Sequence, residues 1–253
     1  MSEQRMIKQR IALVTGGMGG LGTAICRRLH DAGFVVAASY SPENQSPQGW
    51  LAAARDDGYN FKAYKVNVAD HADCEWMMQR LLADLGRIDV LVNNAGITRD
   101  SSLAKMRLDQ WRDVMSANLD SVFNMTRQAI EPMMVQRWGR IINISSVNGQ
   151  KGAFGQTNYA AAKAGMHGFT KAAALELARH GITVNTVSPG YLRTKMVEQV
   201  PPEIMSGKIL PQIPVGRLGE PAEVAGLIAY LASEEAAFVT GANVAINGGQ
   251  HMS

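Results

Sequence analysis

The sequence predicts a single α/β domain in which a parallel sheet carries helices on both of its faces. Short apolar runs alternate with longer helical patterns along the whole 253-residue chain, and this alternation is typical of a buried parallel sheet. The length suits one large domain with one sizeable core. The sequence contains no internal repeat, low-complexity tract or linker, so residues 1–253 are expected to form one domain.

Individual elements follow from the position of the apolar runs. The predicted strands are residues 11–14, 34–39, 61–66, 88–93, 139–145, 182–187 and 243–246. The main predicted helices are residues 70–85, 109–136, 157–180 and 221–233. Residues 190–219 interrupt the alternation with prolines at 201, 202, 211 and 214. This segment is predicted to be either a flap over a substrate site or an ordinary surface insertion.

A glycine-rich segment lies between the first predicted strand and the first predicted helix. Residues 15–22 read Thr-Gly-Gly-Met-Gly-Gly-Leu-Gly. Glycines at such a junction let the backbone approach a pyrophosphate, which binds at the positive N-terminus of the helix. A lone glycine cluster is often only a tight turn, but its position here favours a dinucleotide site. The fold class is therefore predicted to be a Rossmann-like, doubly wound parallel sheet.

Three polar residues suit proton transfer to a carbonyl oxygen. Tyr159 and Lys163 are four residues apart in a predicted helix, so they lie on one face. Ser146 follows the predicted strand at residues 139–145. A lysine cation favours the phenolate of a nearby tyrosine, and a serine hydroxyl can hold a ketone oxygen. Such a Tyr–Lys pair alone usually marks a solvated helix face, so it gains weight only from the rest of the chain.

Composition excludes several classes of function. The apolar fraction of 46% and charged fraction of 19% indicate a soluble globular protein, and a net charge of +3 is too small to indicate nucleic-acid binding. Cys26 and Cys74 have no paired spacing, which indicates reduced thiols in a cytoplasmic protein. No signal core or membrane-spanning run is present in the sequence, and no metal site is predicted.

The motifs together resemble the short-chain dehydrogenase/reductases. Thr15-Gly-x-x-x-Gly-x-Gly, Asn93-Asn-Ala-Gly, Asn118, Ser146, Tyr159-x-x-x-Lys163 and Pro189-Gly occur in the order and spacing of that family. The resemblance implies that Tyr159 is the catalytic acid, Ser146 orients the carbonyl, Lys163 binds the nicotinamide ribose and lowers the tyrosine pKa, and Asn118 holds a water in a proton relay. It also implies that the cofactor contacts Gly16, Met18, Gly19, Gly20, Leu21, Gly22, Ser39, Tyr40, Ser41, Asn67, Val68, Asn94, Ala95, Gly96, Tyr159, Lys163, Pro189, Gly190, Leu192 and Thr194.

Within that family the chain looks similar to the acetoacetyl-CoA reductases of polyhydroxybutyrate synthesis, which are commonly homotetramers. The similarity lies in residues 93–100, 145–152, 154–159 and 188–191. It implies that an acyl-CoA substrate contacts Asp100, Ser146, Phe154, Gln156, Tyr159 and Tyr191, with Lys105 as a candidate for a CoA phosphate. The alternatives are a 3-oxoacyl-ACP reductase, an alcohol dehydrogenase, and a dinucleotide sensor that does not turn over.

Cofactor choice depends on the end of the second predicted strand, where NAD-specific proteins carry an acid for the ribose hydroxyls. Tyr40 occupies that place, and Ser39 and Ser41 could donate hydrogen bonds to a 2′-phosphate. No cationic residue follows between Tyr40 and Leu51, and a phosphate without such a partner binds less tightly. NADP(H) is the favoured prediction, with NAD(H) as the alternative.

Overall fold

A computed structural model describes residues 9–194, 197 and 201–252 of the chain. Over those residues, seven strands form one sheet in the order β3-β2-β1-β4-β5-β6-β7, and every neighbouring pair is parallel. The strands are β1 (Ile11–Val14), β2 (Val35–Tyr40), β3 (Lys62–Lys65), β4 (Val90–Asn93), β5 (Gly139–Ile144), β6 (Ile182–Pro189) and β7 (Asn243–Ile246). The predicted strands and the doubly wound α/β fold class are confirmed.

The helices lie on both faces of this sheet. They are α1 (Gly20–Asp31), α2 (Pro47–Asp56), α3 (His71–Leu85), α4 (Leu108–Met115), α5 (Ser121–Gln136), α6 (Val147–Lys151), α7 (Thr157–Leu177) and α8 (Pro221–Ala232). One core cluster joins the sheet to α1, α2 and α8, and the other joins it to α3, α5 and α7. Burial on both faces explains why β1, β4, β5 and β6 are buried along their whole length, whereas the edge strand β3 has exposed lysines at both ends.

Two helical features were not predicted from the sequence. The segment predicted as one helix at residues 109–136 contains a π-helical turn, Ser116–Asp120, between α4 and α5. The short helix α6 follows β5, with Ser146 as its N-cap residue. Both features lie beside the predicted catalytic residues, so the departures from regular periodicity occur at the site.

The segment at residues 190–219 is only partly described, because residues 195, 196 and 198–200 lie outside the described part. Leu192 forms a β-bridge with Gly219, and short helical turns run through Pro202–Ile204, Met205–Ile209 and Leu210–Gln212. The backbone N–H of Val215 donates to the carbonyl oxygen of Gly248 at 3.1 Å.

Across the described residues, no helix has both the length and the hydropathy that crossing a bilayer requires.

The reversal of strand order falls between β1 and β4. On one side of this point the chain adds β2 and β3, and on the other it adds β5, β6 and β7. In open α/β sheets, ligands bind in the crevice outside the carboxyl ends of the strands at such a point. The fold therefore places a binding site beside the segments that follow Val14 and Asn93.

Candidate active site

The glycine-rich turn connects β1 to α1 at the carboxyl edge of the sheet. Gly16 has a φ of +60°, in the left-handed region that favours glycine. A Cβ on Gly22 would lie 2.3 Å from the carbonyl oxygen of Gly16, so the close approach of α1 to the turn requires glycine there. No side chain caps the N-terminus of α1, which leaves backbone N–H groups free to bind an anion. These features fit the pyrophosphate of a dinucleotide.

Thr15 and Asn94 join the glycine-rich turn to the end of β4. The Thr15 hydroxyl oxygen accepts hydrogen bonds from the backbone N–H groups of Asn94 (2.9 Å) and Ala95 (3.0 Å). The Asn94 side-chain amide donates to the carbonyl oxygens of Thr15 (2.9 Å) and Gly16 (3.2 Å). The two segments on either side of the strand-order reversal are therefore held together as the floor of the site.

Three adjoining cavities lie along the glycine-rich turn and the segment after β4. The β2 cavity is lined by the ends of β2 and β3 and the start of the glycine-rich turn. The α1 cavity continues along residues 16–23 to α2. The catalytic cleft, of about 340 Å³, extends from Leu21 and Asn94 to the segment after β6. Together they are lined by every residue predicted to contact the cofactor, so the described residues fit an extended dinucleotide.

Ser146, Tyr159 and Lys163 meet in the catalytic cleft. Ser146 begins α6, and its hydroxyl accepts a hydrogen bond from the backbone N–H of Asn148 at 3.1 Å. The same hydroxyl is hydrogen-bonded to the phenol of Tyr159. Lys163, one turn further along α7, has its Nζ 5.5 Å from the centre of the Tyr159 ring. The cap fixes the serine oxygen, so a hydroxyl, a phenol and an amine line one small volume.

The buried Lys163 side chain is anchored on the sheet. Its Nζ donates to the carbonyl oxygen of Ile144 at 2.7 Å, and its own backbone carbonyl accepts from the Ser145 hydroxyl at 2.8 Å. Burial lowers the pKa of Lys163 to about 7, because the charged form loses its hydration. Lys163 therefore titrates near neutrality in the protein alone.

The pKa of the Tyr159 phenol is raised in the protein alone. Burial is the largest cause and the negative charge of Asp100 adds to it, whereas the hydrogen bond with Ser146 acts in the opposite direction. This differs from the prediction that Lys163 lowers the tyrosine pKa, because Lys163 is itself only partly charged near neutrality and its Nζ is bonded to Ile144. A protonated phenol is the form that a general acid needs.

Asn118 lies in the π-helical turn and is fully buried. Its side chain accepts from the backbone N–H of Ile97 at 2.7 Å and donates to the carbonyl oxygen of the same residue at 2.9 Å. A Cβ on Gly96 would lie 2.6 Å from Asn118 Oδ1. Asn118 therefore fixes the loop after β4 beside the cleft, and its predicted role in holding a water stays a prediction.

Comparison with known proteins agrees with this geometry. A family model described as enoyl-(acyl carrier protein) reductase matches residues 16–251. The chain belongs to the short-chain dehydrogenase/reductase family. It is similar to an acetoacetyl-CoA reductase of Cupriavidus necator (52% identity, 96% of this chain, 99% of the relative). It is also similar to nodulation protein G of Azospirillum brasilense (52%, 96% and 98%) and to an acetoacetyl-CoA reductase of Rhizobium meliloti (50%, 96% and 99%).

In this short-chain dehydrogenase/reductase, the predicted substrate residues divide into two groups. Gln156 and Tyr191 line the catalytic cleft together with Ser146 and Tyr159. Gln156 accepts from the Asn148 amide at 2.9 Å and donates to the Asp100 carboxylate at 2.9 Å. Asp100 thus lies behind Gln156 rather than in the wall of the cleft, and it acts on the site through this chain of hydrogen bonds.

Lys105 and Phe154 are not among the described residues that line the catalytic cleft. Lys105 ends the exposed turn Leu103–Lys105. Phe154 lies in the turn between α6 and α7, and 97% of its surface is exposed. Their predicted substrate contacts stay predictions.

Several residues that line the cofactor cavities were not predicted from the sequence. Glu43 and Asn44 lie in the wall of the β2 cavity, and Arg27 and Trp50 line the α1 cavity. The sequence signal for Glu43 was its position in the loop, three residues after Tyr40, which ends β2. The family motif has its acid at the end of the strand itself, so it does not identify an acid three residues further along the loop.

Proposed function

We propose that this chain reduces acetoacetyl-CoA to (R)-3-hydroxybutyryl-CoA with a reduced nicotinamide cofactor, in polyhydroxybutyrate synthesis. The observation that carries the proposal is the meeting of Ser146, Tyr159 and Lys163 in a cleft that adjoins a dinucleotide site. The acetoacetyl-CoA reductases that align over nearly the whole chain support the choice of substrate.

The proposed reaction gives each polar group a task. When bound, a reduced nicotinamide would supply the hydride to C3 of the substrate. The Ser146 oxygen accepts from the Asn148 N–H, and its hydroxyl proton, directed at the Tyr159 phenol in the protein alone, would turn to the carbonyl oxygen of a bound substrate. The Tyr159 phenol gives its proton to the same oxygen as negative charge develops there. Lys163 Nζ, which donates to the Ile144 carbonyl oxygen, would bind the ribose next to the nicotinamide.

An assay with purified protein tests the proposal. Acetoacetyl-CoA and the acetoacetyl thioester of acyl carrier protein are each supplied with NADH and with NADPH. The expected result is turnover with a higher kcat/KM for the CoA thioester. A preference for the carrier-protein thioester would instead favour a 3-oxoacyl-ACP reductase. Cofactor binding without turnover of either thioester would favour a sensor and refute the proposal.

Three further expectations accompany the proposed reaction. The family resemblance suggests a homotetramer, and the protein is expected in the cytoplasm, where this reaction's cofactors are available. Residues 190–219 are proposed as a substrate flap, because Tyr191, Leu192 and Thr194 line the catalytic cleft at the start of that segment. Each expectation stays a prediction.

A further inference from the structure

The β2 cavity, at the ribose end of the dinucleotide site, is lined by an acidic side chain. In NAD-binding proteins of this fold class, an acid at the end of the second strand binds the adenosine ribose. Here Glu43 lies in the cavity wall with Met18, Tyr40, Ser41 and Asn44. Among the described residues that line this cavity, none is a lysine or an arginine. The local charge is therefore negative where a 2′-phosphate would bind.

The Glu43 side chain is exposed. Its own backbone N–H and the Ser41 hydroxyl hold the pKa of its carboxyl below the ordinary glutamate value, so it carries a negative charge near neutrality. The Ser41 hydroxyl thus lies beside a carboxylate, which disfavours a phosphate at the same place. Ser39, the other serine considered for that role, has no hydrogen-bond partner for its Oγ among the described residues, but it is 1% exposed and that oxygen has almost no accessible surface. A phosphate in the cavity therefore cannot reach Ser39 and would meet a carboxylate beside Ser41.

Neutral neighbours occupy the rest of the ribose edge. The Asn44 amide donates to the Met18 sulfur at 3.4 Å, while its oxygen accepts from the backbone N–H of Ser46 at 2.9 Å. Asn44 therefore closes the cavity between the glycine-rich turn and the loop after β2. It contributes no charge that could offset the Glu43 carboxylate.

Two cations on elements beside the cavity are directed elsewhere. Arg27 lines the α1 cavity, but it forms a salt bridge with Asp57 and its guanidinium lies 5.3 Å from the centre of the Tyr59 ring. Lys65 is opposite Tyr40 in the β2–β3 register, yet it is exposed and does not line the β2 cavity.

We propose that Glu43 makes this site select NADH over NADPH. Its carboxylate accepts a hydrogen bond from a ribose hydroxyl, and it repels a 2′-phosphate at the same position, where a dianion would meet a like charge and the described lining of the cavity supplies no lysine or arginine to offset it. The inference rests on the proposed function only in that the site binds a nicotinamide dinucleotide. It reverses the NADPH preference that the sequence favoured.

Binding measured without substrate tests the inference separately from the reaction. Isothermal titration gives Kd for NAD⁺ and NADP⁺ with the wild type, Glu43→Gln, and the control Glu176→Gln, which removes an exposed glutamate from α7. The wild type is expected to bind NAD⁺ at least about tenfold more tightly. Glu43→Gln is expected to reduce this ratio about tenfold, mainly by strengthening NADP⁺ binding. The control should leave the ratio unchanged.

Three results would overturn the inference. The first is tighter binding of NADP⁺ than of NAD⁺ by the wild type, and the second is an unchanged ratio in Glu43→Gln. The third is a selective loss of NADP⁺ binding in Lys65→Gln, which would place that cation on the phosphate. If acetoacetyl-CoA is not turned over while the NAD⁺ preference depends on Glu43, the proposed reaction fails and the cofactor inference stands.

Discussion

Replacing Lys163 with methionine should change how the stability of the protein depends on pH. Burial lowers the pKa of Lys163 to about 7 in the folded protein, whereas the pKa of the same lysine in the unfolded chain is near 10.5. Between pH 7 and pH 10.5 the unfolded chain therefore binds one more proton than the folded protein. Stability therefore rises with pH across that window in the wild type. Methionine has a similar shape and no charge, so the variant lacks this contribution.

The expected size follows from the gap between the two pKa values. Each pH unit across the window is worth about 1.4 kcal/mol, so the wild type should gain roughly 3–5 kcal/mol relative to Lys163→Met between pH 7 and pH 10.5. Below pH 7 the difference should be constant. Loss of the Nζ bond to the Ile144 carbonyl oxygen adds only an offset of about 1–3 kcal/mol that does not vary with pH.

Urea unfolding of the cofactor-free protein at fixed concentration measures this difference. The free energy of unfolding is determined at half-unit steps from pH 6 to pH 10.5 for the wild type, Lys163→Met and the control Lys171→Met, which removes an exposed lysine from α7. Only the Lys163 difference should slope upwards with pH. A flat or falling difference would show that the folded protein keeps Lys163 charged, and the pKa reasoning would be refuted.

Three other substitutions give separate expectations. Ser146→Ala removes the oxygen that accepts from Asn148 and the donor to the substrate, so kcat should fall roughly 10²–10³-fold in steady-state assays while Kd for NADH changes little. Gly22→Ala places a Cβ 2.3 Å from the Gly16 carbonyl oxygen; thermal unfolding should show a loss of about 1–3 kcal/mol, and titration should show weaker NADH binding. Asp89→Asn removes the charge that pairs with Arg87 from a fully buried site, and urea unfolding should show a loss of about 3–5 kcal/mol.

The sequence predicted the parts of the site that depend on chain-local geometry. Glycines between a strand and a helix predict a tight turn, and α1 begins directly after such a turn. A Tyr–Lys pair four residues apart in a helix lies on one face, and both residues lie in α7. The Asn93-Asn94 motif was also informative, because Asn94 bonds across to Thr15 and Gly16 at the adjacent strand end. Parallel order and buried strands could be predicted for the same reason, since they follow from alternation and apolar runs.

Features formed by tertiary packing could not be predicted in this way. Helix α6 contains Gly149, a poor helix former, and it packs so closely on α7 that a Cβ at Gly149 would lie 2.9 Å from Lys163 Cβ. The π-helical turn that places Asn118 adds a residue to one turn without changing the overall apolar pattern. Glu43 was missed because its importance comes from Ser41 and the cavity wall, neither of which a motif specifies.

The electrostatics of the catalytic cleft bear on the direction of the reaction. Burial and the charge of Asp100 keep the Tyr159 phenol protonated near neutrality. A protonated phenol can give its proton at once to a carbonyl oxygen, whereas oxidation of an alcohol first requires the phenolate. Asp100 is held by Gln156, and Gln156 by Asn148, so the charge that favours the protonated phenol is fixed by the walls of the cleft. Burial and this charge therefore prepare the cofactor-free site to donate a proton, which is the step that reduction of a carbonyl requires.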